Sequence, residues 1–431
     1  MFAVSIMLAI CVVILCGIPI AVALGLVAAV TMVFTIGPDL LFIFIQRTYA
    51  GTTSFPLLAI PFFVLAGNLM NIGGTTERIF AVAQLLVGRI RGGLAHVNVL
   101  GSVIFAGMSG SAVADAAGMG VIQQRAMTKA GYTARYAATI TATSSTIGPI
   151  IPPSIPFVIY GSLANVSVGA LFLAGIIPGL VMAGSLMIAI AIAARYMNLP
   201  RGEGFPPLGE AAQAILRALP ALMLPPAILA VIFTGIATPT EAAVVAAGFA
   251  FILGRWVYRE LAYADVVKVI WESARQTAQV MFIIALSAPF GWVLIQQQIP
   301  NAILEALLGI SSEAWVVLLI INIVLLILGM FIEGIALMII AYPVLMPVVL
   351  SLGIDPIHFG VILVLNLMIG LVTPPVGLCL YVVAGIAKVS IADITREIWP
   401  YLLGLIISLM LVTYIPQISL WLPNLFGYGL R

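Results

Sequence analysis

Charge is what this chain lacks most. Only 7% of its 431 residues are Asp, Glu, Lys or Arg, and 63% are hydrophobic; a soluble domain typically carries about 25% charged residues. So little polar surface cannot cover a water-soluble globule of this size. Residues 136–194 contain no charge at all, which is 194 − 136 + 1 = 59 positions. At about 20 apolar residues per crossing, that run alone supplies two or three passes. Further uncharged runs cover 1–38, 218–240, 276–304, 334–354, 356–387 and 398–430. The alternation of barrel strands is absent, so the spans are helical, each satisfying its own backbone hydrogen bonds.

Other absences narrow the function. The net charge is +2 and the cations are scattered through short loops, which speaks against a nucleic-acid partner. There is no phosphate-loop motif, which argues against an ATP-driven pump. Only three cysteines occur, Cys11, Cys16 and Cys379, each inside an apolar segment and without metal-ligand or redox spacing. They read as buried, inert thiols. His96 and His358 lack an acidic partner at catalytic or ligand spacing and read as structural. No catalytic constellation emerges, and an enzyme is not expected. The first residues, MFAVSIMLAICVVILCGIP, lack a basic n-region and read as a retained membrane helix.

Apolar spans are expected near 4–35, 56–73, 93–114, 136–160, 169–194, 218–235, 240–254, 277–296, 314–330, 335–351, 359–384 and 400–421. The stretch Asn198–Pro207 is the most loop-like and separates two halves that resemble each other. Gly107-Met108 recurs as Gly329-Met330, an offset of 329 − 107 = 222. Gly131 recurs as Gly353, Gly148 as Gly370, Pro152-Pro153 as Pro374-Pro375, and Pro178 as Pro400, all at that offset and without gaps. Internal repeats of this kind mark transporter folds. The offset leaves open whether they are parallel or inverted.

Each repeat has two places unsuited to a continuous lipid-facing helix. One is Ala106–Asp115, small and polar inside an apolar run, with Gly329–Gly334 as counterpart. The other is Ser144–Ser154, matched by Asn366–Pro375, where paired prolines remove backbone donors. Broken backbone survives at membrane depth only when protein or a water-filled cavity receives it. Two hairpin tips and two interrupted helices are therefore expected near the midplane. Freed carbonyls and hydroxyls are hard oxygen ligands that suit a cation such as sodium. Ser109, Ser111, Gly148 and the carbonyls of Ile151 and Pro153 form one candidate cluster. Glu333, Gly370, Thr373 and Pro375 form the second. Half-helix N-termini suit a carboxylate, so Ser109, Ser111, Asp115, Ser154 and Glu333 are expected against a solute. The alternative for the small residues is plain close packing, and for Asp115 and Glu333 a structural bond to a helix end. Glu241 has a structural account, because Thr238-Pro-Thr-Glu241 reads as a helix start with Thr at the N-cap and Glu at N3.

Long stretches carry a family resemblance: AIPFFVLAGNLM at 59–70, GGLAHVNVLGSVIFAGMSGSAVADAAGMG at 92–120, TIGPIIPPSIPFVIYG at 146–161, GIATPTEAA at 235–243 and GLVTPPVGLCLY at 370–381. They are similar to the large membrane subunit of the tripartite ATP-independent periplasmic (TRAP) transporters, DctM type, over essentially the whole chain. The resemblance implies an all-α polytopic fold with inverted repeats, an elevator-type transporter of the bacterial inner membrane. It implies sodium ions as coupling ions and an organic acid as solute, sialic acid or a four-carbon dicarboxylate. It implies a small membrane subunit, separate here, and a periplasmic substrate-binding protein as partners, within a lipid bilayer. On this reading residues 1–90 are scaffold and arm, 91–197 the first transport repeat, 198–312 central scaffold, 313–400 the second repeat and 401–431 a C-terminal helix. The competing class is a channel or a passive membrane scaffold, which would not need paired breaks beside intramembrane carboxylates.

Overall fold

A backbone in hydrocarbon has no water to bond, and among the described residues every regular element of this chain is helical. The computed structural model describes the chain apart from residues 1–5, 7–8, 11, 14–15, 36, 38–40, 198, 203–206 and 429–431. Four helices come first: α1 (Ile20–Thr35), α2 (Leu41–Thr52), α3 (Ala59–Ile72) and α4 (Thr75–Val87). The first repeat holds α5 (Gly93–Ser109), α6 (Ala112–Lys129), α7 (Ala134–Ser145), α8 (Ile155–Ala164) and α9 (Val168–Tyr196). Then come α10 (Leu208–Phe233), α11 (Pro239–Ile252), α12 (Tyr263–Gln296) and α13 (Ile299–Ile310). The second repeat holds α14 (Ala314–Gly329), α15 (Gly334–Ser351), α16 (Pro356–Gly370), α17 (Leu378–Ala387) and α18 (Ile391–Tyr414), followed by α19 (Gln417–Leu425).

Of the described helices, seven are long and apolar enough to cross a membrane, or eight if α13 and α14, bent by 119°, form one broken span. The twelve expected spans are thus too many. The surplus consists of hairpin arms and half-helices that reach only part of the way. Span 136–160 is α7 and α8 on either side of a break, and span 359–384 is α16 and α17 likewise. The first nineteen residues and the Asn198–Pro207 linker lie partly outside the described residues. Cys11 does too, and Cys16 is exposed rather than buried, although Ile6 and Ile10 of the same end are buried against Phe290 and Leu294.

Local sequence sets the helix starts. Ser111, Thr133, Ser154 and Ser167 cap α6, α7, α8 and α9, each accepting from a backbone N–H in the first turn. Glu333, Asp355 and Ser390 do the same for α15, α16 and α18. Thr238 and Glu241 form the expected capping box on α11. The offset of 222 holds through the hairpin, since 334 − 112, 351 − 129 and 355 − 133 all equal 222. It then becomes 223, because Ser154 pairs with Gly377, Asn165 with Lys388 and Ser167 with Ser390 as cap residues. The match is therefore not gapless. One residue is added beside Val376, and Pro178 and Pro400 fall one place out of register.

The repeats are inverted. The start of α7 lies beside the first half of α18, where Arg135 Nε and Glu397 Oε1 are 2.5 Å apart. The start of α16 lies beside the last residues of α18, where His358 Nε2 is 3.3 Å from the Thr413 carbonyl. One helix thus has the two broken helices beginning at its opposite ends. Their second halves are exchanged: α17 packs on α6 and α7, while α8 packs on α15 and α16. Tyr160 of α8 fixes one crossing by donating to the Pro356 carbonyl at 2.6 Å. Outside this bundle α3 packs on α11, and α12 packs on α1, α2 and α3. The bundle is polarised, with Arg125, Lys129, Arg135, Lys388 and Arg396 at the end where α7 begins, and Glu313 and Asp355 where α16 begins.

Gly360 makes the α8–α16 crossing possible, since a β-carbon there would sit 2.4 Å from Cε1 of the fully buried Tyr160. Gly360→Ala should therefore cost about 1–3 kcal/mol by overpacking. Thermal unfolding in detergent measures it, and an unshifted midpoint would show that the crossing does not depend on this contact.

Candidate functional site

The first hairpin turns at Gly110, whose φ of +59° is a left-handed conformation that glycine tolerates. A β-carbon at Gly110 would lie 2.9 Å from the Pro153 carbonyl and 3.1 Å from the Ile155 nitrogen. The tip is thus pressed backbone to backbone against the first break. Ser109 donates its hydroxyl to the Asp115 carboxylate, and its Oγ accepts the Ser111 N–H at 3.3 Å. Ser111 Oγ caps Ala114 N at 3.4 Å. Asp115 is 2% exposed, and its Oδ2 has no protein partner. That oxygen faces Gly148, where a β-carbon would sit only 2.0 Å away. The structure therefore brings Ser109, Ser111, Asp115, Gly148 and Pro153 together. Ile151, expected to contribute its carbonyl, packs its side chain against Gly179 of α9. Ser154 donates to the Pro149 carbonyl and accepts the Phe157 N–H, so its hydroxyl is occupied in closing the break.

The second cluster has the same plan with different chemistry. The end of α14 meets the end of α16 through bare backbone, since a β-carbon at Gly370 would lie 2.8 Å from the Gly329 Cα. Glu333 Oε2 accepts the Ala336 N–H at 3.0 Å, so the carboxylate stands where Ser111 stands in the first repeat. Thr373 Oγ1 donates to the Ile369 carbonyl at 2.7 Å. Gly377 N–H bonds the Met330 carbonyl at 3.2 Å and takes the place of the Ser154 cap. Pro375 is exposed, whereas Pro153 is buried. The second break is thus the more open one, and the first is enclosed.

Sequence reasoning missed several members. Cys379 of α17 is fully buried where that helix packs on α6 and α7. Gly67 of α3 supports the first tip, since a β-carbon there would approach the Ser109 Cα to 3.1 Å. A polar clamp holds the first hairpin to α7: Ser144 donates to Asn98 Oδ1 at 2.7 Å, and Asn98 Nδ2 to Thr141 at 2.9 Å. Asn366, the counterpart of Ser144, holds α16 to α14 through Asn322 at 2.9 Å. Only the serine-rich run before the first break hinted at this clamp.

Chemically, the two clusters offer hydroxyls, carbonyls and carboxylates around a buried, half-satisfied Asp115. Among the described residues no group of three or more His, Cys, Asp or Glu side chains could hold a transition metal. Oxygen donors of this kind fit a hard monovalent cation. Gly148→Ala tests the arrangement, because its methyl group must displace the Asp115 carboxylate. Uptake in proteoliposomes should fall by roughly an order of magnitude, the effect of about 1.4 kcal/mol, with folded yield retained. Wild-type uptake would mean that the Asp115 position carries no function.

Known proteins resemble this chain in sequence and in fold. Residues 7–418 match the family model of the tripartite ATP-independent periplasmic transporter DctM component. The chain is 43% identical to the sialic acid TRAP transporter large permease protein SiaM of Vibrio cholerae over 417 residues, 96% of each chain. It is 41% identical to the C4-dicarboxylate TRAP transporter large permease protein DctM of Pseudomonas aeruginosa, over 94% of each. Its fold is similar to that of the YdaH transporter of Alcanivorax borkumensis, with a TM-score of 0.64 and 14% identity over 93% of this chain and 91% of that one. The chain belongs to the DctM family, the large permease component of the TRAP transporters.

Proposed function

We propose that the chain carries an organic acid, of the sialic acid or four-carbon dicarboxylate class, into the cell together with sodium ions. One observation carries the reading: two inverted, broken-helix clusters of oxygen donors meet in the bundle interior, one of them with an unpartnered, buried carboxylate oxygen at Asp115. A carboxylate at membrane depth costs about 2.5–3.5 kcal/mol on an insertion scale and persists when something compensates it. Sodium at Ser109, Ser111, Asp115, Gly148 and Pro153 supplies that compensation in the first cluster. Glu333, Gly370, Thr373 and Pro375 are the donors of the second.

The solute reading rests on relatives named for sialic acid and for C4-dicarboxylates. Its partners are a small TRAP membrane subunit and a periplasmic substrate-binding protein, which captures the solute before this chain receives it. Lysine- and arginine-rich ends lie in the cytoplasm in multi-pass proteins, so the end where α7 begins faces inward across the inner membrane. Transport then moves the two repeats as one body against the α1–α4 and α10–α12 scaffold, an elevator motion.

Two measurements test this. In proteoliposomes with both partners and loaded binding protein, uptake should collapse when potassium replaces sodium outside, and equal uptake in the two salts would sink the reading. Glu333→Gln keeps an acceptor for the Ala336 N–H but loses the charge. It should raise the half-saturating sodium concentration by roughly five-fold or more, the usual size of a site coupling, with the melting midpoint unchanged. Ser111→Ala should instead also lower stability, by the ~0.5–2 kcal/mol of a lost N-cap. A wild-type sodium curve for Glu333→Gln would leave Glu333 as a helix cap only.

A further inference from the structure

The two ion clusters hang from opposite ends of one helix. At its basic end α18 holds α7 through Arg135 and Glu397, 2.5 Å apart, and through Tyr401, whose hydroxyl donates to that of Tyr136 at 3.2 Å. The Glu397 side chain is 12% exposed and that of Arg135 53%, so the pair is buried on the α18 side and open to solvent on the other. At its other end α18 holds α16 through the Thr413 carbonyl, 3.3 Å from His358 Nε2, while His358 Nδ1 lies 2.6 Å from Ser419 Oγ of α19. Thr413 Oγ1 also accepts from Asn322 of α14 at 3.0 Å, so the second hairpin is tied to the same point. Midway, Ser408 donates to Ser185 of α9 at 2.8 Å.

The lengths agree with a single frame. With 24 residues α18 is about 36 Å long at 1.5 Å per residue. The 12 residues of α7 reach about 18 Å inward from one end, and the 15 of α16 about 22 Å from the other. Because Glu397 lies six residues, about 9 Å, inside the start of α18, α7 and α16 run past each other along its middle, with Gly148 just beyond the end of α7 and Gly370 at the end of α16. Each inner end is tied to its own hairpin, by Ser144–Asn98 and by Asn366–Asn322, and the outer anchor on α18 is what the two hairpin-and-break units share.

We infer that α18 is a strut whose two end fixings, Arg135–Glu397 and His358–Thr413, hold the two ion clusters in register and thereby make binding at one depend on the other. This rests on the coupling-ion reading above. These are positioning residues, since none of them touches either cluster. Loosening one anchor lets its cluster shift relative to the other, which removes the coupling while leaving each set of donors in place.

The test is a sodium titration of solute uptake in proteoliposomes containing the full transporter, for wild type, Glu397→Gln, His358→Phe and the charge swap Arg135→Glu with Glu397→Arg. The expected result is a Hill coefficient above one for wild type that falls to one in both single variants, with half-saturating sodium raised roughly five-fold. The charge swap restores the cooperativity. Hydrogen exchange provides a readout independent of sodium. In Glu397→Gln it should quicken at the amides of residues 146–151, some 18 Å from the altered side chain along α7. Unchanged cooperativity in both single variants, or faster exchange confined to the first turn of α7, overturns the strut. If wild-type uptake ignores sodium, the coupling-ion reading falls, and the exchange pattern alone decides whether α18 positions the breaks.

Discussion

An unpaired backbone group in hydrocarbon costs several kcal/mol, and this chain interrupts two of its membrane helices beside cis-linked proline pairs. Most of the bundle can be read as what that interruption requires. Each break is met by a hairpin tip from its own repeat, with Gly110 against Pro153 and Gly329 against Gly370. Each second half-helix is then laid across the other repeat, α17 on α6 and α7, α8 on α15 and α16. Neither repeat can therefore enclose its own broken backbone alone. Inverted duplication supplies the missing half, and the small residues at the contacts let backbone approach backbone.

The two clusters are not copies in chemical terms. The first carries its acid six residues beyond Ser109, inside α6, with Ser111 as the cap. The second carries its acid at the cap itself, at Glu333. The first break is closed by the Ser154 hydroxyl, whereas the second is capped by Gly377 and leaves Pro375 exposed. The first acid is buried with one oxygen free of protein partners, and the second stands partly exposed at a helix start.

The hairpins, the breaks and the caps were legible in the sequence because each is a local event. Glycine, paired proline and Ser, Thr or Asp before an apolar run act through the backbone of their own neighbourhood. Ser111 and Glu333, read from the sequence as ligands, stand 222 residues apart, and each caps the second arm of its hairpin. The added residue at Val376 was not legible, since matching glycines and prolines on either side tolerate a slip of one. Nor was the exchange of α8 and α17, because hydropathy says that a face is buried and not which helix buries it. Cys379, read as a buried thiol, is buried in α17.

The crossed arrangement also bears on how such a bundle can move. If the two repeats were separable, sliding one past the other would expose both breaks to lipid, at several kcal/mol for each unpaired group. Because α8 and α17 are exchanged, the repeats can move only together. Any displacement must then occur at the contacts with α3, α4, α10 and α12, where the bundle meets continuous helices. Gly67 of α3 against Ser109, and Gly107 of α5 against Pro225 of α10, are such contacts, small residues facing a smooth partner. Bonds within the bundle hold both clusters, while these outer contacts are mostly apolar and replaceable. Strong interior fixing and weak exterior contact are what a bundle needs in order to shift as one body.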